Sequence, residues 1–123
     1  MKVVKPGPDR EVPRGVVGGS EVSEASAGAR QIYMGVFRVE PGARSRPHYH
    51  ATCESAVYML SGELEVLWGD ALDQTSRIAP GDMVYVPPNE THVLVNHHPE
   101  HPAEYVVARN AAHEDSVEVP WAG

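Results

Sequence analysis

The chain has 123 residues, room for one domain of ordinary size, and its 41% apolar and 22% charged side chains exclude disordered and collagen-like readings. Seventeen acidic against ten basic side chains leave a net charge of -7, so the average surface repels a phosphate backbone and nucleic acid is not an expected partner. No apolar run approaches the roughly 18 residues of a membrane span, Lys2 and Lys5 bracket too short a stretch for a secretory signal, and the one cysteine, Cys53, has no internal partner for a disulfide. The expectation is a cytoplasmic protein without a membrane association.

Residues 1–29 are rich in Pro, Gly, Ser and charge, from Pro6-Gly7-Pro8 to Ala25-Ser26-Ala27-Gly28, a composition that argues against a packed helix. They read as an arm with one docking strand at Glu11 to Val17, and residues 30–123 as a single barrel domain. From Gln31 the pattern changes to short runs rich in Val, Ile, Tyr and Phe. The predicted strands are Gln31 to Val39, Arg44 to His50, Ser55 to Leu60, Glu63 to Trp68, Gln74 to Ile78, Met83 to Val86, His92 to Asn96 and Glu104 to Arg109. Turn-forming sets separate them, among them Glu40-Pro41-Gly42, Ser61-Gly62, Ala79-Pro80-Gly81-Asp82 and Pro87-Pro88-Asn89. Short strands with regular turns define an all-β antiparallel sandwich or barrel, and composition and periodicity go no further.

Chemistry enters with Pro47-His48-Tyr49-His50-Ala51-Thr52-Cys53-Glu54. Two histidines at i and i+2 on a strand project from the same face, so both imidazoles can converge on one ion. Glu54 offers a carboxylate to the same centre, and His92, at the start of another strand, is the natural fourth ligand. Imidazole and carboxylate together suit a divalent transition metal. Cys53 reads as a small core residue rather than a thiolate ligand. His97, His98 and His101, punctuated by Pro99 and Pro102, read as a solvated loop.

The pattern Gly42-x5-His48-x-His50-x3-Glu54-x7-Gly62 resembles the first motif of the cupin superfamily, and Gly81-x5-Pro87-x-Asn89-x2-His92-x3-Asn96 resembles the second. Glu54 takes the shorter spacing from His50, and the alternative register holds Ser55, which cannot replace a carboxylate. Asn89 stands where the family has Gly, and Asn is the residue other than Gly that best tolerates a left-handed backbone. The resemblance covers residues 31–109 and implies a double-stranded β-helix, or jelly-roll barrel, with one Fe, Mn, Zn or Ni ion held inside by His48, His50, Glu54 and His92. If Glu54 opens an inward-facing set, Ala56, Tyr58 and Leu60 share that face and Tyr58 lines the pocket as the candidate catalytic group. Met34, Phe37, Trp68, Met83 and Tyr85 are candidates for the apolar lining, and Asn96 for a residue that fixes the local backbone.

The resemblance further implies a metalloenzyme acting on a small-molecule substrate in the barrel mouth. With Fe or Mn it is of the O2-using dioxygenase type, and with Zn or Ni of the Lewis-acid isomerase or polyketide-cyclase type. The alternative is a non-catalytic module that holds a metal or small ligand. Small cupins pair as dimers, and a homodimer is expected here through sheet edges, the N-terminal arm and the segment Asp115 to Trp121.

Overall fold

β-branched and aromatic residues set the strands, and Gly, Pro and Asn set their ends. In the computed structural model, which describes residues 1–11, 16–112 and 116–121, these form eleven strands and one helical turn. They are β1 (Arg10–Glu11), β2 (Val16–Val22), α1 (Glu24–Ala27), β3 (Tyr33–Val39), β4 (His48–His50), β5 (Ser55–Ser61), β6 (Leu64–Trp68), β7 (Gln74–Ile78), β8 (Met83–Val86), β9 (His92–Val95), β10 (Ala103–Arg109) and β11 (Ser116–Glu118). The strands build two antiparallel sheets, β1-β2-β3-β10-β5-β8 and β11-β4-β9-β6-β7, the jelly-roll arrangement that the cupin resemblance implied. No helix among the described residues is long and apolar enough to cross a membrane.

Strands β7 and β8 fall on the residues expected for them, whereas the strand expected from Arg44 shortens to His48–His50. Pro47, which has no N–H to give to a ladder, precedes it, and Arg44 makes an isolated bridge to Val95. The segment read as an arm carries β2, which pairs with β3 along most of its length, Val16 opposite Val39 and Val22 opposite Met34. The expected strand Glu11–Val17 lies partly outside the described residues. After β2 the chain makes a single helical turn that buries no residue, so it is not the packed helix the composition argues against. Ser23 and Ser26 cap it reciprocally, and Gly28 ends it at φ 72°. At the other end β11 pairs with β4, so both terminal segments expected to bridge subunits lie on sheets of this chain.

The core lies between the sheets. Phe37, Val39, Met59, Leu64, Val66, Ile78, Tyr105 and Val107 form one buried cluster drawn from both layers. Phe37 and Tyr105 stack with ring centroids 5.9 Å apart. The faces of the central strands alternate as a half-buried sheet requires: in β10, Ala103, Tyr105, Val107 and Arg109 point in and Glu104, Val106 and Ala108 point out.

Gly62 turns the chain from β5 into β6 at φ 72°, and a Cβ there would stand 2.6 Å from the carbonyl oxygen of Pro102 and 2.8 Å from Cα of Ala103. Both the backbone conformation and the backbone neighbours exclude a side chain. Gly62→Ala is therefore expected to lower the unfolding free energy by about 2 to 4 kcal/mol, read as a reduced urea midpoint at unchanged m-value.

Candidate metal centre and cavity

His48 and His50 reach the same wall because they are two residues apart on β4, and His92 joins them because it stands directly opposite His48 in the β4–β9 pairing. The ring centroids are 4.5 Å apart for His48 and His92, 5.2 Å for His48 and His50, and 5.9 Å for His50 and His92. One ligating nitrogen from each ring lies within 4.8 Å of the others. Behind the rings, His48 Nδ1 donates to the carbonyl of Arg46 and His92 Nδ1 to that of Glu90, both at 2.8 Å. A carbonyl can only accept, so each Nδ1 carries the proton and each Nε2 keeps its lone pair. Such backbone bonds hold metal-binding imidazoles in orientation and tautomer. Burial, with His48 alongside, lowers the pKa of His92 to about 4 against the opposing bond to Glu90. At neutral pH the ring is uncharged, the form a metal requires.

The neighbouring backbone is fixed by local hydrogen bonds. Asn89 adopts φ 65°, the left-handed conformation its side chain was expected to tolerate, and its N–H bonds to the carbonyl of His50 at 2.8 Å. Ser45 Oγ accepts from Leu94 N–H at 2.9 Å while Ser45 N–H returns to the Leu94 carbonyl, joining the approach to β4 to the middle of β9. Asn96, 2% exposed, donates through Nδ2 to the carbonyls of Val39 and His101 and accepts the N–H of His98. That is the backbone-fixing role expected of it. His97, His98 and His101 are exposed, with His98 Nδ1 accepting the N–H groups of Glu100 and His101. Cys53 is buried.

Two of the expected site residues take other positions. Glu54 precedes β5 and its side chain is exposed; its N–H bonds to Asn110 Oδ1, and its carboxylate accepts from the Tyr85 hydroxyl at 3.4 Å. The structure does not bring it to the three histidines. The inward series of β5 starts one residue later, with Ser55, Val57 and Met59, so Ala56, Tyr58 and Leu60 point outward and Tyr58 is 40% exposed. Met34, Met83 and Tyr85 also point outward, whereas Phe37 lines the interior and Trp68 packs against the core.

The three imidazoles open into a cavity of about 200 Å³ whose wall is mainly apolar, with Phe37, Val57, Ile78, Val84, Leu94 and Val107 among its lining. Tyr105 also faces it, and burial raises the pKa of its phenol, which stays neutral. Ser55 and Arg109, paired across β5 and β10, supply polar groups to the same cavity. Ser55 Oγ is buried with no hydrogen-bond partner among the described residues, and the Arg109 guanidinium lies 3.8 Å from the Tyr33 ring centroid. The Tyr33 hydroxyl in turn bonds to the Glu21 carboxylate. Sequence reasoning missed Arg109. The signal was its parity with Tyr105 and Val107, which places a guanidinium at the end of an inward apolar series.

A family model for the cupin domain matches residues 35–109, and the chain belongs to that family. Protein SchB of Streptomyces halstedii is 34% identical over 75 residues, which cover 61% of this chain and 52% of SchB, so the chain spans about half the length of that curated relative. Among solved structures, the polyketide cyclase RemF from Streptomyces resistomycificus superposes with a TM-score of 0.78 at 23% identity, over 99% of this chain and 87% of RemF. The Bacillus subtilis oxalate decarboxylase, a protein with Mn(II) centres, superposes with a TM-score of 0.74 at 22% identity, over 92% of this chain and 30% of its own. At these identities the structural likeness is one of fold.

Asn96 tests how far this scaffold depends on one buried amide. Asn96→Ala would strand two carbonyls and one N–H and open a small void, and it is expected to cost about 2 to 4 kcal/mol in chemical denaturation.

Proposed function

We propose that the chain is a metal-dependent cupin enzyme of the Lewis-acid type, acting on a small, largely apolar carbonyl compound of the polyketide class. The observation that carries this reading is the placement of His48, His50 and His92 on one wall of an apolar cavity. The donor set fits a divalent transition metal such as Zn, Ni, Mn or Fe: the imidazoles stand close together, and two are held from behind through Nδ1. A bound ion there supplies the polarisation of a carbonyl oxygen. Phe37, Leu94 and the valines take up the apolar body of the substrate and exclude water. Tyr105, as a neutral phenol, and Ser55 offer hydrogen bonds to its oxygens. The likeness to the polyketide cyclase RemF along nearly all of this chain supports the cyclase type over the O2-using type. We place the enzyme in the cytoplasm, as a homodimer; a lone buried cysteine suits that reducing compartment.

Elemental analysis of protein purified without chelator tests the centre. One metal per chain is expected in the wild type, its loss in His50→Ala and His92→Ala, and its retention in Glu54→Ala, with far-ultraviolet circular dichroism unchanged in all three. Metal kept in either histidine variant would remove the site, and metal lost in Glu54→Ala would return the carboxylate to it.

The reaction type is read from turnover of aromatic-forming poly-β-carbonyl compounds under nitrogen. The metal-loaded protein is expected to form product without oxygen, and Tyr105→Phe to lower kcat/KM by about 10 to 100-fold. Turnover that stops under nitrogen and consumes oxygen in air would establish the dioxygenase type instead. Tight binding with no turnover would establish a binding module.

A further inference from the structure

The inner face of the six-stranded sheet changes character at one end. Strand register orders its inward residues into rows across β3, β10, β5 and β8: Gly35, Val107, Val57 and Val84 form one, and Tyr33, Arg109, Ser55 and Val86 the next. The second row ends an apolar wall with a guanidinium and a hydroxyl side by side, and both line the cavity that the three histidines line from the other sheet. Arg109 is 9% and Ser55 5% exposed. The Tyr33 ring holds the guanidinium from one side, and the Tyr33 hydroxyl is fixed by the Glu21 carboxylate, itself tied to Arg10 at 2.9 Å. Ser55 Oγ reaches no hydrogen-bond partner among the described residues, and a hydroxyl buried in that way is costly unless a ligand answers it. The charge of the cavity points the same way. The chain carries -7 overall, yet among the described residues the lining holds two guanidinium groups, Arg46 and Arg109, against one carboxylate, Glu118, which pairs with Arg46 at 3.0 Å.

We infer that Arg109 and Ser55 form a carboxylate subsite, so that the substrate is an acid whose carboxylate lies against the six-stranded sheet while its reacting carbonyl faces the histidines of the other. This rests on the reading of the cavity as the substrate site of a Lewis-acid enzyme. One guanidinium and one hydroxyl match the single charge and two oxygens of a carboxylate: the fork of N–H groups donates within its own plane, and the hydroxyl donates to the same group. A phosphate dianion would leave a charge unmatched, because Arg46 is engaged by Glu118. The row of Val107 and Val57 lies between this end and the stacked Phe37 and Tyr105, so the body of the acid meets hydrocarbon along its length. In an apolar wall a charge-assisted hydrogen bond is screened little by water, which makes the pair a determinant of which compounds stay bound. It also sets the register of a poly-β-carbonyl acid along the cavity, and with it the carbonyl that faces the histidines.

Calorimetry of the metal-loaded full chain with para-acetylbenzoate and its neutral isostere para-acetylbenzamide tests the assignment. The wild type is expected to bind the acid about 10 to 100-fold more tightly than the amide. Arg109→Gln is expected to remove that preference by weakening the acid alone, and Arg109→Lys to restore part of it. Ser55→Ala is expected to weaken the acid by about 3 to 10-fold while the urea midpoint stays unchanged or rises, whereas a hydroxyl with a structural role would lower it. Equal binding of acid and amide by the wild type, or binding of neither, would overturn the inference. A preference that survives Arg109→Gln and disappears in His50→Ala would place the carboxylate on the metal instead. An unchanged preference in Ser55→Ala overturns the subsite by itself, so the test stays decisive if an Arg109 variant does not fold. Metal content is read on the same samples. One ion per chain without acid preference sinks this inference and leaves the Lewis-acid reading standing, and acid preference in a wild type that takes up no ion does the reverse.

Discussion

The site depends on one cross-strand pairing, His48 opposite His92. β4 is short and meets β9 through this pair, so the third imidazole is delivered by register rather than by proximity along the chain. A slip of one residue in β9 would turn Val93 toward the cavity and His92 away from it. The register is therefore secured from both sides. β6 pairs with β9 from Trp68 opposite His92 to Glu65 opposite Val95, and the reciprocal Ser45–Leu94 bonds tie the chain before β4 to the same strand. Asn96 then fixes the exit of β9 through three backbone groups. Ser45 and Asn96, polar residues outside the three-histidine cluster, thus hold the strand that carries His92.

This division of labour explains what was legible in the sequence. The three histidines, the two β-strands that bear them and the turn at Asn89 are written in residue types whose physics is local: i and i+2 parity on a strand, and the tolerance of Asn for positive φ. The role of Asn96 was legible for the same reason, since an amide after an inward-facing strand has few uses beyond satisfying backbone groups. The shortened β4 was legible in principle, because Pro47 has no N–H for the ladder.

The parity of β5 was not legible, and the misplacement of Glu54 and Tyr58 follows from that. In Ser55-Ala56-Val57-Tyr58-Met59-Leu60 either set of alternate residues can pass for the buried one, so periodicity contains no decision. The contacts decide it. Met59 is fully buried, and its N–H and carbonyl bond to the Asp82 carbonyl and the Gly81 N–H, which locks the strand to the turn before β8. Once Met59 faces in, Ser55 and Val57 follow, and Glu54 is left in the irregular step before the strand, where Asn110 takes its N–H. With Ser55 at the inward position, the cavity wall there carries a hydroxyl in place of a carboxylate. The three donors that remain are imidazoles, so a divalent ion held by them would meet no carboxylate in that set.

The same ambiguity has a physical source. A strand with one wet face has a polar alternate set, and the sequence of β7, Gln-Thr-Ser-Arg-Ile, shows what solvent exposure selects in this chain. β5 and β8 show the opposite, with apolar residues on both faces although their outer faces carry exposed side chains. Apolar outer positions add nothing to the core between the sheets and raise the hazard of non-specific association. The apolar outer set of β5 is thus the feature that hid its parity from a sequence reading.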